Sequence, residues 1–425
     1  MNKSKLFAAL LFTYVLSLAF QDFMRFSGVF RKVQLPEILF LLLVISFPFS
    51  HFRQYRFSRA DCILVGTLSV YWFANIVSSV LSGKFSAIAE SCGRLYLIVL
   101  FGMATLYFAQ LPKTALRDKT INASIVLGVL LSLTGIGGIV AHFCGFSSIL
   151  VGVSEDYPYF GTVYRAQGFT HTPAMLVSLL SFTGILVYTE GSLNFSKKTT
   201  AALLLMIIAA ILTFSRSITF LFWGLCLIFM IKKRGFSRKI FGITAVMLTL
   251  FMTVGTHVIF ISKTSPALPA IYASPFTSNR ILLEQGNYMA LETSYLAIKR
   301  ASIDIWQTQP IFGIGTGNFV DGLKKIQETG VYPAKLPIYE AHSTYIGTLA
   351  ENGIFAAAAI IAFFTLLWFT IYRYKDLKTD IFSIALLICL TSVLVESLAL
   401  DTLNFRHYWL LFALVWAYGK VKSEK

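Results

Sequence analysis

The sequence predicts an all-α, polytopic integral membrane protein of about twelve transmembrane helices, with a long and partly helical external loop before the tenth. Three observations predict it. Hydrophobic residues make up 56% of the 425, charged residues only 13%, and the mean hydropathy of +0.71 excludes an ordinary soluble domain. Apolar runs of about 15 to 23 residues recur along the whole chain, long enough to cross a bilayer core of roughly 30 Å once flanks and tilt are counted. The charges gather in the short stretches between those runs.

The spans are expected near 6–21, 36–50, 62–81, 91–109, 124–143, 173–189, 200–214, 217–231, 240–262, 344–372, 380–400 and 407–419. The first follows Asn2, Lys3 and Lys5 and lacks a convincing small-residue cleavage site, so it reads as a retained helix rather than a removed leader. The second, seventh and eighth have the weakest patterns. Almost nothing separates the seventh from the eighth, which puts Arg216 at a tight turn on one membrane face.

Loop charges orient the set. With the N-terminus inside, the inner connections hold Arg53/Arg56/Arg59, Lys113/Arg117/Lys119, Lys197/Lys198, the cluster Lys232 to Lys239, and Arg373/Lys375/Lys378. The N-terminal lysines and Lys420, Lys422 and Lys425 bring the inner share to more than half of the 36 basic residues. Arg25, Arg31 and Lys32 in the first outer connection go against the rule. Both termini inside is still the better fit, and it leaves two longer segments outside, 144–172 and 263–343. The second carries Met289, Leu291, Tyr295, Leu296, Ile298, Ile303, Ile305 and Trp306, which predict a helix over about 289–308 lying on the membrane surface until Pro310 ends it. The chain reads as one transmembrane domain, 1–425, with these two external elaborations.

Several chemistries are excluded. The five cysteines (Cys62, Cys92, Cys144, Cys226, Cys389) form no CxxC pair and no Cys/His spacing suits zinc, so no metal and no disulfide framework are expected. The net charge of +16 is written into membrane loops rather than onto a basic face interleaved with aromatics, which argues against nucleic acid.

The remaining polar residues supply the candidates. His342 closes the long loop just before the tenth span, with Glu340 nearby, and its side-chain type titrates near neutral pH; it is a proton acceptor or simply wets a helix end. Arg216, in Thr213-Phe-Ser-Arg-Ser217, is costly between two apolar spans unless it snorkels or meets an anion. Arg94 is in the same situation near the outer end of the fourth span, with Glu90 as a structural partner. Arg165 opens Arg-Ala-Gln-Gly-Phe-Thr-His-Thr-Pro173, an ordered re-entry into the sixth span, where His171 reads as a loop hydrogen-bonder. The stretch Pro310-Ile-Phe-Gly-Ile-Gly-Thr-Gly-Asn-Phe319 is either a turn with backbone N–H groups facing a site or a structural turn; no strand–loop–helix context supports a nucleotide loop. Arg280, Lys299 and Arg300 complete the external cations. Glu396, inside the eleventh span, couples to protons or pairs with Arg406 or another inward cation.

Taken in order, four segments resemble the O-antigen ligase and O-antigen polymerase family of bacterial membrane glycosyltransferases: Arg165-x-x-Gly168 through Pro173, Thr213-x-Ser-Arg216, Pro310 through Phe319, and His342-Ser through Glu351-x-Gly353. The resemblance implies transfer of a glycan from undecaprenyl diphosphate to a sugar hydroxyl on lipid A core or on another lipid-linked glycan. It implies no cofactor or metal, with membrane lipids as surroundings. It also implies the bacterial inner membrane, cytoplasmic termini and a periplasmic active site to which 263–343 contributes. Carried onto this chain, His342 is the base and Arg216 binds the diphosphate, a task suited to guanidinium. A single inverting displacement is expected. One position departs: where the family often has a second arginine, this chain has Tyr295. Arg280 or Arg300 is then the replacement, with Arg165 and Arg94 as further diphosphate ligands, although Arg300 at i+5 from Tyr295 is on another helix face. A transporter or flippase of lipid-linked sugars is the rival reading, and it would place its charges near the bilayer midplane.

Overall fold

The computed structural model describes residues 3–23, 34–146, 149–157, 161–190 and 196–420. Asn2, Arg25, Arg31, Lys32, Lys422 and Lys425 lie outside them. The chain begins with α1 (Lys3–Ser17), extended by a 3-10 turn to Phe23, then α2 (Leu35–Ser46), α3 (Ser50–Gln54), α4 (Arg59–Leu81), α5 (Phe85–Phe108) and α6 (Lys113–Phe143). A hairpin of β1 (Val151–Tyr157) and β2 (Gly161–Ala166) precedes α7 (Pro173–Val187), α8 (Lys197–Leu212), α9 (Ile218–Arg234) and α10 (Arg238–His257). Then come β3 (Val258–Ser262), α11 (Leu268–Ala273), β4 (Thr277–Gln285), β5 (Tyr288–Thr293), α12 (Ser294–Thr308) and α13 (Phe319–Glu328). Three helices close the chain: α14 (Thr344–Tyr372), α15 (Ile381–Glu396) and α16 (Arg406–Lys420).

A helix lies at each expected span. Among the described residues, six helical segments are long and apolar enough to cross a membrane on length and composition: Lys3–Phe23, Arg59–Leu81, Phe85–Phe108, Lys113–Phe143, Arg238–His257 and Thr344–Tyr372. The shorter α2, α7 and α15 are also apolar. The protein is thus a mostly helical, polytopic membrane protein. Local chemistry sets several of the starts. Ser58 and Asp61 form a reciprocal capping box at α4, and Thr172 accepts from the Met175 amide with Pro173 opening α7.

Three expectations need correction. The chain is not all-α, because two small antiparallel sheets decorate the helices, β1-β2 and β3-β5-β4. The expected span over 240–262 stops as a helix at His257; Val258-Ile-Phe-Ile-Ser262 is rich in β-branched and aromatic side chains and pairs with β5, Ile259 opposite Leu291. The expected helix over 289–308 starts only at Ser294, its first quarter being part of the central strand β5. Hydrophobicity alone cannot separate a short apolar strand from a buried helical turn.

In the bundle, α4 packs on α14, α5 on α16, and α6 on α7 and α8. An aromatic cluster locks the centre: Phe363 lies 6.0 Å from Trp409, nearly parallel, with Phe101 and Phe412 edge-on at 5.7 and 5.5 Å. Buried charge is matched over long sequence distances. Arg406 pairs with Glu37 on α2 and donates to the Gln21 side chain at 2.9 Å. Arg406 is therefore not the partner of Glu396, which instead accepts from the Tyr408 hydroxyl. A carboxylate and a guanidinium that each find a nearer partner have no reason to pair across the bundle.

The glycine-rich segment before α14 is tied to that helix through a helix break. Gly353 (φ +75°, ψ −174°) interrupts α14, and a Cβ there would fall 2.0 Å from the Ile311 carbonyl oxygen. The Ile314 amide donates to Ala350 O at 3.1 Å, the Gly315 amide to Glu351 O at 2.8 Å, and the Ile354 amide to Pro310 O at 3.1 Å. The glycine-rich segment thus spends the Ile314 and Gly315 N–H groups on the broken helix, which fits its structural reading.

Candidate functional site

His342 sits two residues before α14 in a left-handed backbone conformation, φ +46°, which is costly for a residue with a Cβ and must be enforced by its surroundings. The enforcement is visible. Thr344 N donates to Ser397 O at 2.9 Å, Ser343 Oγ to the same carbonyl at 3.2 Å, and Thr344 Oγ1 lies 2.9 Å from Thr402 Oγ1. The 342–344 turn is clamped onto the connection between α15 and α16. Two aromatic rings bracket the imidazole, Tyr295 at 4.9 Å and Tyr339 at 5.6 Å between centroids.

Arg216 occupies the short non-helical turn between α8 and α9, as its sequence position requires. Its Nη1 donates to Gly255 O at 2.7 Å near the end of α10, and its guanidinium carbon lies 5.1 Å from the Tyr295 ring centre. Arg165, on β2, holds this turn from the other side: its Nε donates to Thr213 O at 2.9 Å and its Nη1 to Ser154 Oγ at 3.2 Å. Arg165 therefore supports the loop that carries Arg216.

The second cation beside His342 is Lys299. Tyr295 and Lys299 are four residues apart on α12 and share a face. Lys299 is buried, with its ammonium against His257 Nε2 and the Leu398 carbonyl, and burial lowers its pKa to about 8. Burial first, then the charges of Lys299 and Arg216, push the His342 pKa down to about 4, while Asp401 acts in the opposite direction. His342 is therefore neutral at pH 7 and able to accept a proton.

The other candidates lie elsewhere. Arg300 points its guanidinium at the fully buried Glu292, 2.6 Å away, and Arg280 on β4 acts on the same carboxylate. Arg94 is 7% exposed and makes an ion pair with Asp401 at 3.3 Å, with Glu90 also among its charged neighbours. Its Nε and Nη1 are buried without a hydrogen-bond partner, and it lines a small cavity with Glu340, Ser343, Thr348, Glu351 and Asp401. Glu340 faces that cavity, so the acid whose charge reaches His342 is Asp401. His171 lies 3.3 Å from Asp22, a loop contact as expected. Among the described residues no group of His, Cys, Asp and Glu side chains is arranged to hold a metal ion.

The site therefore joins His342, Arg216, Tyr295, Lys299 and, behind them, Asp401. Sequence reasoning named Lys299 only as one of the external cations and missed Asp401. Lys299 carried a usable signal, its i+4 spacing from Tyr295. Asp401 carried none, since it stands alone between two apolar helices and is linked to Arg94 only through the fold. The arrangement offers a neutral base beside two cations, which is suited to taking a proton from a hydroxyl while negative charge grows on a nearby leaving group.

No individual curated protein matches the chain. A family model described as O-antigen ligase matches residues 201–361, the stretch that contains Thr213 to Arg216, the glycine segment and His342 to Gly353. Residues 201–361 are therefore similar to the O-antigen ligase family, in line with the order of the motifs.

Proposed function

We propose that this protein is a membrane glycosyltransferase of polysaccharide assembly that moves a glycan from undecaprenyl diphosphate to a sugar hydroxyl. The observation that carries the reading is the placement of Arg216 and Lys299 around a neutral His342. His342 takes the proton of the acceptor hydroxyl, whose oxygen then attacks the anomeric carbon. The bond from that carbon to the diphosphate oxygen breaks and its electron pair leaves with the diphosphate, where Arg216 and Lys299 balance the growing charge. Base and leaving group act on opposite faces of the carbon, so configuration inverts. No step calls for a metal.

The electrostatics couple donor binding to base strength. The two cations by themselves weaken His342 as a base. A diphosphate held between them offsets their field and raises the imidazole pKa, so that the base strengthens when the donor is in place. The chain would lie in the inner membrane with twelve spans, termini inside and this site outside; the basic inner loops support that orientation.

Purified protein supplied with an undecaprenyl-diphosphate oligosaccharide, alone and with lipid A core, tests the reading. Released undecaprenyl diphosphate with a product ladder from the donor alone is polymerase behaviour; product only with added core is ligase behaviour. His342→Ala and Arg216→Ala abolish both while leaving membrane insertion intact. Full transfer by either variant would remove that residue from the mechanism.

A further inference from the structure

Far from His342, the bundle holds a second opening that the transfer chemistry does not use. An apolar crevice of about 460 Å³ runs between α1, α5, α6 and α16, walled by residues such as Leu11, Val15, Phe108, Leu127 and Leu414. It continues into a polar mouth of about 240 Å³; both cavities are lined by Ala8, Tyr107, Leu111 and Lys119. The mouth adds Ser4, Lys5, His51 and Gln110. Arg94, behind the transfer site, and Tyr107, at the mouth, are on the same helix α5, roughly 20 Å apart at about 1.5 Å rise per residue. The mouth is thus at the opposite end of the bundle, where the basic loops gather.

Three features give the mouth a charge preference. Lys5 and Lys119 are exposed, and among the described residues neither is in an ion pair. The neighbouring Asp118 pairs with Arg117. Neither cavity is lined by an Asp or Glu among the described residues. His51 is 7% exposed, and its Nδ1 is buried without a hydrogen-bond partner, although its carbonyl accepts from Gln110 at 3.0 Å. A buried polar nitrogen left unpaired at the edge of a cavity costs free energy unless something occupies the cavity.

The geometry points to a site for an anionic glycerophospholipid of the inner leaflet, its phosphate at Lys5, Lys119 and His51 and an acyl chain in the crevice. An apolar channel accepts a chain, and two unpaired ammonium groups with a free ring nitrogen accept a phosphate. This site is independent of the transfer reaction, and its readout is lipid retention.

The full-length protein, purified in mild detergent and mixed with phosphatidylglycerol or phosphatidylethanolamine of identical acyl chains, is examined by native mass spectrometry. Phosphatidylglycerol is retained preferentially. Lys5→Gln with Lys119→Gln lowers its retention by roughly 25-fold, about fivefold for each ammonium lost near a phosphate. Lys119→Arg keeps the charge and the binding. The inner-face control Lys197→Gln with Lys198→Gln, outside the crevice, leaves retention unchanged. Equal retention of the two lipids, or undiminished phosphatidylglycerol binding by the Lys5/Lys119 double variant, overturns the proposal.

Discussion

The ring of Tyr295 stands between Arg216 and His342, 5.1 Å from the guanidinium carbon and 4.9 Å from the imidazole centre. One aromatic side chain therefore touches both the cation assigned to the diphosphate and the base assigned to the acceptor. At this position a π face meets the guanidinium, which fixes its orientation without adding a charge next to the base. Tyr295→Phe keeps that face and is expected to retain transfer within about threefold. Tyr295→Ala removes it and is expected to lower kcat/KM by about 5- to 30-fold, the equivalent of roughly 1–2 kcal/mol for a partly desolvated cation–π contact. Steady-state transfer assays on the two variants decide it; equal losses would mean that the hydroxyl, and not the ring, is what matters.

The acid limb of the pH profile carries the second prediction. A base must be neutral to act, so activity falls as pH drops through the pKa of His342. That value is held down to about 4, with Lys299 and Arg216 contributing after burial. The limb of kcat/KM, which reports free enzyme, is expected below the limb of kcat, which reports the donor complex. Lys299→Gln removes one positive neighbour and shifts the kcat/KM limb upward, since less repulsion opposes the imidazolium. A limb that does not move in Lys299→Gln would separate Lys299 from His342.

Arg165 supplies the third. Its guanidinium reaches Thr213 O and Ser154 Oγ at once, spanning β1, β2 and the turn that carries Arg216. An ammonium has no planar fork to serve both acceptors. Arg165→Lys is expected to lower kcat/KM by about tenfold through Arg216 misplacement, with the His342 acid limb unmoved. If Arg165 instead touches the donor, adding excess donor restores the rate of Arg165→Lys fully. Rate measurements at saturating donor distinguish the two.

What the sequence carried, and what it did not, follows from the range of the interactions. The helices were legible because a membrane imposes a length on every apolar run, and even the weakest expected spans coincide with helices, α2, α8 and α9. Arg216 was legible because two adjacent spans leave it nowhere else to go. The strands at 258–262 and 288–293 were not, because each runs directly into or out of a helix, α10 and α12, with no break in the apolar pattern. Lys299 was passed over in favour of Arg280 and Arg300 because guanidinium is the expected diphosphate ligand; Glu292, which engages both, has no local sequence signature. The Arg406–Glu37 pair joins opposite ends of the chain and needs the fold to exist.

The break in α14 gives the last prediction. Gly353 takes φ +75° and ψ −174°, a region that an L side chain avoids, and its missing Cβ makes room for the Ile311 carbonyl at 2.0 Å and the Phe312 amide nitrogen at 2.7 Å. Those are backbone atoms and cannot rotate away. Gly353→Ala must push the glycine-rich segment off the helix, breaking the Ile354–Pro310 and Gly315–Glu351 hydrogen bonds that hold it. The cost is expected to exceed about 2 kcal/mol from strain and overpacking together, seen as a lower Tm and poor recovery in detergent. Gly242→Ala is the matched control: it is inside α10, and a Cβ there meets nothing within 4 Å. Its Tm is expected to hold or rise, because alanine restricts the unfolded chain more than glycine does. Equal Tm values for the two variants would show that the contact between the glycine-rich segment and α14 does not hold His342's helix in place.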